Sequence, residues 1–373
     1  MARGGSVFYN EITQIELELT TRCNAACPQC SRNYYGGKTW PSLPITDLSL
    51  TWLKEHLPAD ALAGMKEIRL CGTYGDPCIH PKLIEIISWL HSVSDAQITI
   101  RTNGGMRSIS WWKTLATILR PTDIVFFGID GLKDTNHLYR IGTSWKKIMD
   151  NSQAFIASGG NAVWSYLVFE HNEHQVEEAE QLSISLGFKG FATKITSRFM
   201  DKTHKFIDKS PVVDNNNNII RWLKPATQSQ FQNQGYTAYD GIVEKHGTYN
   251  NYLQTVPISC MARHTGLVCI SAEGYVLPCG WLLDRFYGYE AESHYDRARL
   301  FDLINSAGGL NSINLSHTKY NNIINGTVFT ALAESWVNEY RLERCAHQCG
   351  EGTQLSSSAI SGLKKFWQGP ALE

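Results

Sequence analysis

The stretch TTRCNAACPQC, residues 20–30, places three cysteines in a C-x3-C-x2-C array directly after an alternating apolar run. Ile15, Leu17 and Leu19 share one face of an extended segment, so the array lies in the loop that leaves a predicted strand. Three thiolates this close in sequence can hold one iron-sulfur cluster. A four-iron cubane takes a cysteine at each iron, so a local array of three leaves one iron open to a substrate or cofactor.

A structural zinc site is the alternative interpretation of the same array. Closed zinc sites usually combine a C-x2-C pair with a second Cys or His pair a short distance along the chain. The next histidine is His56, which falls in a predicted helix. The spacing therefore favours the iron-sulfur cluster, and zinc stays as the alternative.

Composition narrows the class of protein. The 373 residues are enough for two domains or one large one. Lys plus Arg 34 against Asp plus Glu 35 gives a net charge of -1, so we expect no nucleic-acid partner. Residues 1–6 lack an apolar signal region and no run reaches membrane-spanning length, so we expect a cytoplasmic protein without a membrane partner. Among the 10 cysteines, the clustered thiols are then expected to be metal ligands rather than disulfides.

Strand-like and helix-like runs alternate in the first half of the chain. The predicted strands are 15–19, 67–71, 97–101, 123–129, 163–169 and 190–195. The predicted helices include 81–90, 110–119, 145–157 and 175–186. Six successive β-α units predict an α/β fold with a parallel sheet, curled into an open barrel or laid flat. Function in such sheets gathers at the carboxyl ends of the strands.

These features resemble the radical S-adenosylmethionine (radical SAM) superfamily, whose signature is C-x3-C-x2-C after the first strand of a partial (β/α)6 barrel. The resemblance covers about residues 12–200, and we assign the barrel to residues 1–200. It implies that Cys23, Cys27 and Cys30 hold a 4Fe-4S cluster whose open iron chelates SAM. Reductive cleavage of SAM would then give a 5′-deoxyadenosyl radical that abstracts hydrogen from a substrate C–H bond.

The second strand ends in CGTYGDP, residues 71–77. Gly72, Gly75, Asp76 and Pro77 are similar to the family's G-G-E-P motif, which binds the SAM amino group through backbone oxygens and the acidic side chain. The acid here is one methylene shorter, and two residues separate the glycines. An ordinary strand-to-helix turn is the alternative.

The third and fourth strands supply the remaining cofactor-binding candidates. Thr102 and Asn103 belong to a T-N-G segment that family members often carry. Asp130 lies in a segment similar to the family's S-x-D-G, but Gly128 stands at the Ser position. The contact to the SAM carboxylate must therefore come from elsewhere, with Arg140 as the candidate and a backbone amide as the fallback.

The cysteine array departs from the family at one further position. An aromatic residue usually precedes the last cysteine and packs beside adenine, whereas this sequence has Gln29. Apolar strand ends and backbone must then hold adenine, with Tyr34 or Tyr35 as substitutes.

The sequence becomes more polar and less periodic after the predicted barrel. Residues 201–258 are polar and weakly periodic and are predicted to be a linker or insertion. Residues 259–350 begin with a predicted hairpin that turns at Gly274. Residues 351–373 are a Gly- and Ser-rich tail.

Four cysteines in this region match the number of irons in a cubane: Cys260, Cys279, Cys345 and Cys349. The pattern resembles the SPASM domain or its shorter twitch form, and the cysteine number fits one auxiliary 4Fe-4S cluster. Zinc is again the alternative. Cys269 falls within a strand and is interpreted as a buried structural thiol.

A fully ligated second cluster offers no open iron, so we expect it to carry electrons. That favours an oxidoreductase that dehydrogenates or crosslinks a peptide, the commonest substrate of proteins with this extension. A small alcohol or amine is the alternative substrate, and a non-catalytic zinc scaffold is the alternative class. The resemblance also implies an electron donor such as flavodoxin or ferredoxin.

No catalytic acid or base can be assigned from the sequence. The candidates are Asp284, Glu273 and His264 around the predicted hairpin, and Glu170 and His171 beyond the fifth strand.

Overall fold

The computed structural model describes residues 8–201, 205–287, 290–338, 341–351 and 360–365. The strands are β1 (Gln14–Leu17), β2 (Glu67–Leu70), β3 (Gln97–Thr102), β4 (Ile124–Gly128), β5 (Ala162–Val168), β6 (Gly190–Ile195), β7 (Ser210–Val213), β8 (Ile219–Leu223), β9 (Leu267–Ile270), β10 (Val276–Leu277) and β11 (Ile360–Lys365). Nine of them form one sheet in the order β10-β9-β1-β2-β3-β4-β5-β6-β11, and β7 pairs with β8 in a separate hairpin.

The helices connect and flank these strands. They are α1 (Leu50–His56), α2 (Ala59–Ala63), α3 (Leu83–Val93), α4 (Ile109–Ile118), α5 (Asn136–Tyr139), α6 (Trp145–Ala157), α7 (Val176–Ser185), α8 (Gln234–His246), α9 (Tyr249–Thr255), α10 (Met261–Thr265), α11 (Gly280–Leu283), α12 (Glu290–Ser306), α13 (Tyr320–Ile324), α14 (Thr327–Ser335) and α15 (Glu343–Cys349). No helix in the described ranges combines the length and the apolar character that a membrane span requires.

The first six strands pair in parallel in sequence order, which confirms the predicted α/β partial barrel. Each strand begins and ends within two residues of its predicted bounds. Local sequence explains the helix starts: Ser49, Ser108 and Ser144 each accept a hydrogen bond from a backbone N–H in the first turn of the helix that follows.

Aromatic packing joins the helices to the sheet. Trp112 of α4, Phe127 of β4 and Phe155 of α6 are fully buried, with ring centroids 5.2–6.1 Å apart. Burial on both faces explains why β4 is apolar along most of its length.

The C-terminal strands extend the barrel sheet at both edges. Strand β9 pairs in parallel with β1 and in antiparallel with β10, so the predicted hairpin at Gly274 becomes part of the main sheet. Strand β11, from the predicted tail, pairs in antiparallel with β6. Residues 352–359 and 366–373 of that tail lie outside the described residues.

The predicted linker, residues 201–258, is more ordered than its composition suggests. It contains the β7–β8 hairpin and the helices α8 and α9. Its elements are short and one hairpin strand is largely exposed, so the apolar periodicity that predicts secondary structure is weak there.

The buried carboxylate of Asp123 connects several elements at the amino end of the barrel through hydrogen bonds. Asp123 accepts hydrogen bonds from the Ile98 backbone N–H at 2.7 Å, from the Arg120 backbone N–H at 2.8 Å, and from His91 Nε2 at 2.8 Å. Asp123→Ala should lower the free energy of unfolding by about 3 kcal/mol, because it leaves buried donors without acceptors. Urea unfolding monitored by circular dichroism measures the change.

The matched control is Asp95→Ala, whose side chain is fully exposed at the same end of the barrel. It should leave the urea midpoint unchanged. Equal midpoints for the Asp123 variant and the wild type would contradict the structural role of Asp123.

Candidate functional site

Three thiols line a cavity at the carboxyl ends of the parallel strands. Cys23, Cys27 and Cys30 lie in the loop after β1, and all three line a cavity of about 380 Å³. A fourth thiol, Cys71, also lines it, but the charged groups that interact with it most strongly are Glu16 and Arg101 rather than the other three thiols. The cavity therefore holds a trio of cysteines and one separate cysteine.

The trio has the electrostatics of a site that is completed by cations. Burial raises the pKa of the Cys27 thiol to about 11, although Arg140 acts against this rise. Burial also raises the pKa of Cys23, and Asp76 and the other two thiols raise it further. Thiols that burial and neighbouring acidic groups keep protonated become thiolates when positive charge is supplied, as metal ions do.

The loop after β2 packs directly against the cysteine loop. A Cβ at Gly75 would overlap the carbonyl oxygen of Thr20, so only glycine permits this approach. The Asp76 backbone N–H donates to Arg22 O at 2.9 Å. The buried carboxylate of Glu18 accepts from the backbone N–H groups of Tyr74 at 2.6 Å and of Gly75 at 3.2 Å. Close packing and hydrogen bonds therefore hold the loops after β1 and β2 together.

The side chain of Asp76 connects the loop that follows β2 to the loop that follows β3 through hydrogen bonds. It is buried and accepts hydrogen bonds from Thr102 Oγ1, from the Asn103 backbone N–H and Nδ2, and from the Cys78 backbone N–H, at 2.7–3.0 Å. Asn103 Nδ2 also donates to Asn24 Oδ1 at 2.9 Å. Asp76 also lines the cavity. Pro77 begins the short 3-10 turn that follows.

Arg140 reaches the cysteine trio from the other side. Its Nε lies 2.5 Å from Asp130 Oδ2, and its Nη1 donates to Cys27 Sγ at 3.6 Å. Burial acts to lower the pKa of Arg140, but Asp130 and Cys27 raise it above its usual range. Asp130 is fully buried and does not line the cavity, so its part is to hold the guanidinium.

Glycine at position 128 has a steric reason. A Cβ there would overlap the Arg140 guanidinium. Gly128 and Arg140 both line the cavity. The absence of the family's Ser at this position therefore leaves the room that the arginine fills.

Gln29 ties the cysteine loop to the end of β6. Its Oε1 accepts from Thr196 Oγ1 at 2.7 Å, and its backbone oxygen accepts from Arg198 Nη1 at 2.6 Å. Tyr34 and Tyr35, the expected adenine partners, are not among the residues that line the cavity. They contact each other instead, with ring centroids 4.9 Å apart.

The four C-terminal candidates line a second cavity of about 470 Å³. Cys345 and Cys349 are one helical turn apart on α15, while Cys260 and Cys279 precede α10 and α11. A hydrogen bond between the Cys260 and Cys349 thiols lowers the pKa of Cys349 to about 7 and raises that of Cys260. Cys269 is fully buried in β9 and does not line this cavity.

The two cavities adjoin. Seven residues line both of them: Cys71, Gly72, Thr73, Arg101, Lys194, Arg198 and Trp281. Within the described ranges, no three Cys, His, Asp or Glu side chains are placed to hold one and the same metal ion. A cubane instead distributes its protein ligands over separate irons.

One of the five acid and base candidates lines a thiol cavity, and the other four do not. Asp284 lines the second cavity, where its Oδ2 lies 3.4 Å from Arg344 Nη2. Burial acts to raise the pKa of Asp284, but Arg198 and its arginine neighbours lower it. The other four candidates line neither thiol cavity: Glu273, His264, Glu170 and His171.

Sequence reasoning missed many polar and aromatic residues of the cavity walls, among them Glu16, Arg101, Lys194 and Trp281. Glu16, Arg101 and Lys194 lie within the strands β1, β3 and β6. Charged residues inside barrel strands were the available signal. Trp281 follows Cys279 closely, and no pattern distinguishes it from a core tryptophan.

Comparisons with known proteins agree with this geometry. Residues 17–182 match the family model of the Radical SAM superfamily. The chain has no match among the curated proteins compared.

Several solved structures are similar to this chain. The polyhistidine-tagged anSMEcpe structure with bound AdoMet is 12% identical, with 90% of this chain and 88% of that chain covered and a TM-score of 0.51. The SuiB structure from Streptococcus suis bound to S-adenosylmethionine is 12% identical, with 73% of this chain covered and a TM-score of 0.46. The chain spans 61% of that SuiB chain.

The BtrN structure in complex with AdoMet and 2-DOIA is 14% identical, with 96% of this chain and 95% of that chain covered and a TM-score of 0.44. The family match covers the cysteine array and the strands β2 to β5. Residues 17–182 of this chain are accordingly a radical SAM domain.

Proposed function

We propose that this chain is a radical SAM oxidoreductase with two 4Fe-4S clusters, one held by Cys23, Cys27 and Cys30 and one by the C-terminal quartet. The observation that carries the proposal is the adjoining pair of cavities, each lined by one group of thiols and joined by a shared wall. A substrate at that wall lies between the two groups.

The trio fits a cluster with one open iron. Its three thiols line one cavity, and the fourth thiol of that cavity, Cys71, interacts chiefly with Glu16 and Arg101. When bound with SAM, such a cluster supplies the electron that cleaves the sulfonium and so generates the radical that abstracts hydrogen from the substrate.

The residues around the trio bind and orient SAM. Backbone oxygens of the loop that includes Gly72 accept from its amino group, because Asp76 is occupied in holding that loop in place. Arg140, held by Asp130, binds its carboxylate. Fixing both ends of the methionine moiety in this way positions the scissile bond.

Cys260, Cys279, Cys345 and Cys349 would hold a second cluster with a ligand at every iron, and such a cluster would supply an acceptor for an electron from the substrate rather than a binding site for it. That makes the net reaction an oxidation, such as dehydrogenation or crosslinking. We propose a peptide substrate, with a small alcohol or amine as the alternative, and flavodoxin or ferredoxin as the donor of the first electron.

Iron content tests the two-cluster proposal. Anaerobically reconstituted wild type should contain about eight irons and eight sulfides per chain, the sum of two cubanes. The triple variant Cys23→Ala, Cys27→Ala, Cys30→Ala and the double variant Cys345→Ala, Cys349→Ala should each retain about four. Cys269→Ala is the matched control and should retain all of the iron, because this thiol lies outside both cavities. Zinc without sulfide would support the scaffold instead.

SAM distinguishes the two clusters. Adding SAM to the dithionite-reduced double variant should change the electron paramagnetic resonance signal, since only the trio leaves an open iron. The triple variant should show no change and should form no 5′-deoxyadenosine. A SAM-insensitive signal from the double variant would refute the open iron.

Arginine placement gives a further prediction. Gly128→Ala should weaken SAM binding by about tenfold, because the added methyl displaces the Arg140 guanidinium that makes a charge-assisted contact. Equilibrium dialysis of labelled SAM against reconstituted protein measures the affinity. Gly64→Ala, where a Cβ meets no atom within 4 Å, is the control and should bind SAM like the wild type.

Product mass decides the reaction class. Short reading frames beside the gene, co-expressed with it under anaerobic conditions, supply candidate peptides for mass spectrometry. An oxidation yields a product lighter by two hydrogen atoms. A product of unchanged mass would show an isomerisation and would remove the electron-accepting role of the quartet.

A further inference from the structure

Two cations stand on the wall between the cavities without a paired anion. Arg101 lies near the end of β3 and Lys194 on β6, and both line each cavity. Across the described part of the chain, neither forms an ion pair or a side-chain hydrogen bond. The guanidinium of Arg101 lies 4.5 Å from the centre of the Phe126 ring.

The nearby carboxylates do not neutralise this pair. Asp130 is committed to Arg140 at 2.5 Å. Glu16 lies on β1, interacts electrostatically with Arg69 and Arg101, and lines only the second cavity. The cation pair therefore faces one partly shared carboxylate.

The electrostatics of Lys194 reflect this excess of positive charge. Burial and, after it, Arg101 lower its pKa to about 8 against the opposing effects of Cys71 and Asp130. Buried charges in proteins are usually paired, and unpaired ones are costly. Two such cations on the wall of a cavity favour the binding of an anionic ligand.

We propose that Arg101 and Lys194 bind an oxyanion of the substrate, a carboxylate or a phosphate, at the junction of the two cavities. The inference rests on the proposed function, since it assumes that the substrate lies between the two thiol groups. Arg101 supplies a planar fork of donors and Lys194 a point charge, a combination that suits an oxyanion with several acceptor atoms. The SAM carboxylate has its own partner in Arg140, so the junction is left for the substrate.

Binding of simple oxyanions tests the site directly. Equilibrium dialysis of labelled succinate and of labelled inorganic phosphate is carried out on reconstituted protein with SAM at saturation. Arg101→Gln and Lys194→Met should each weaken binding of the preferred probe by about tenfold, as expected for loss of a hydrogen bond to a charged group. The stronger probe identifies the substrate group as carboxylate or phosphate.

Controls separate local from general effects. Lys147→Met removes an exposed cation on α6 that lines neither cavity, and it should leave probe binding unchanged. Lys194→Arg keeps the charge and should retain most of the affinity. Far-ultraviolet circular dichroism establishes that each variant is folded.

Three outcomes would overturn the inference. They are the absence of probe binding to the wild type, probe binding by the Arg101 and Lys194 variants that is as strong as that of the wild type, and a loss of SAM affinity as large as the loss of probe affinity, which would place the cations in the SAM pocket. Iron, sulfide and SAM binding are measured on the same samples. Their failure in the wild type would refute the proposed function, whereas loss of probe binding alone addresses the oxyanion site.

Discussion

Contact between the loops that follow β1 and β2 is the constraint on which the site depends. The backbone at Gly75 lies against the Thr20 carbonyl so closely that any side chain would displace it. Glu18 accepts hydrogen bonds from two backbone N–H groups of the second loop, and the Arg22 carbonyl accepts a third from the Asp76 backbone N–H. Since the cysteine trio belongs to the first of these loops, its positions are set by polar contacts that form only when both loops are in place.

Much of this arrangement could be predicted from sequence, because short apolar runs and helical periodicity determine the order of a parallel barrel. Strand β6 and helix α6 begin and end at their predicted residues. Cysteine spacing and glycine turns placed the trio and the loop of Asp76 directly after predicted parallel strands. The carboxyl ends of parallel strands lie at the same edge of a sheet, so the two loops were expected there. These are local signals, and local signals survive in a single sequence.

What could not be predicted arises from tertiary contact. The aromatic pair Tyr34 and Tyr35 has the right chemistry for adenine, yet neither residue lines the cavity, and the two rings contact each other. Arg101 and Lys194 line the same two cavities although their strands are not neighbours in the sheet order. Asp76 lines the cavity, but the protein donors that its carboxylate binds could not be read from the sequence.

The parallel pairing of β9 with β1 has a consequence for how the chain folds. One side of β1 finds its partner only after about 250 further residues, as the pairing of Ile15 with Val268 requires. During synthesis that side presents unpaired backbone groups, the kind of edge on which other chains can add. Nascent chains arrested before β9 should therefore be prone to self-association. The late pairing of β9 with β1 should be the slow step in folding.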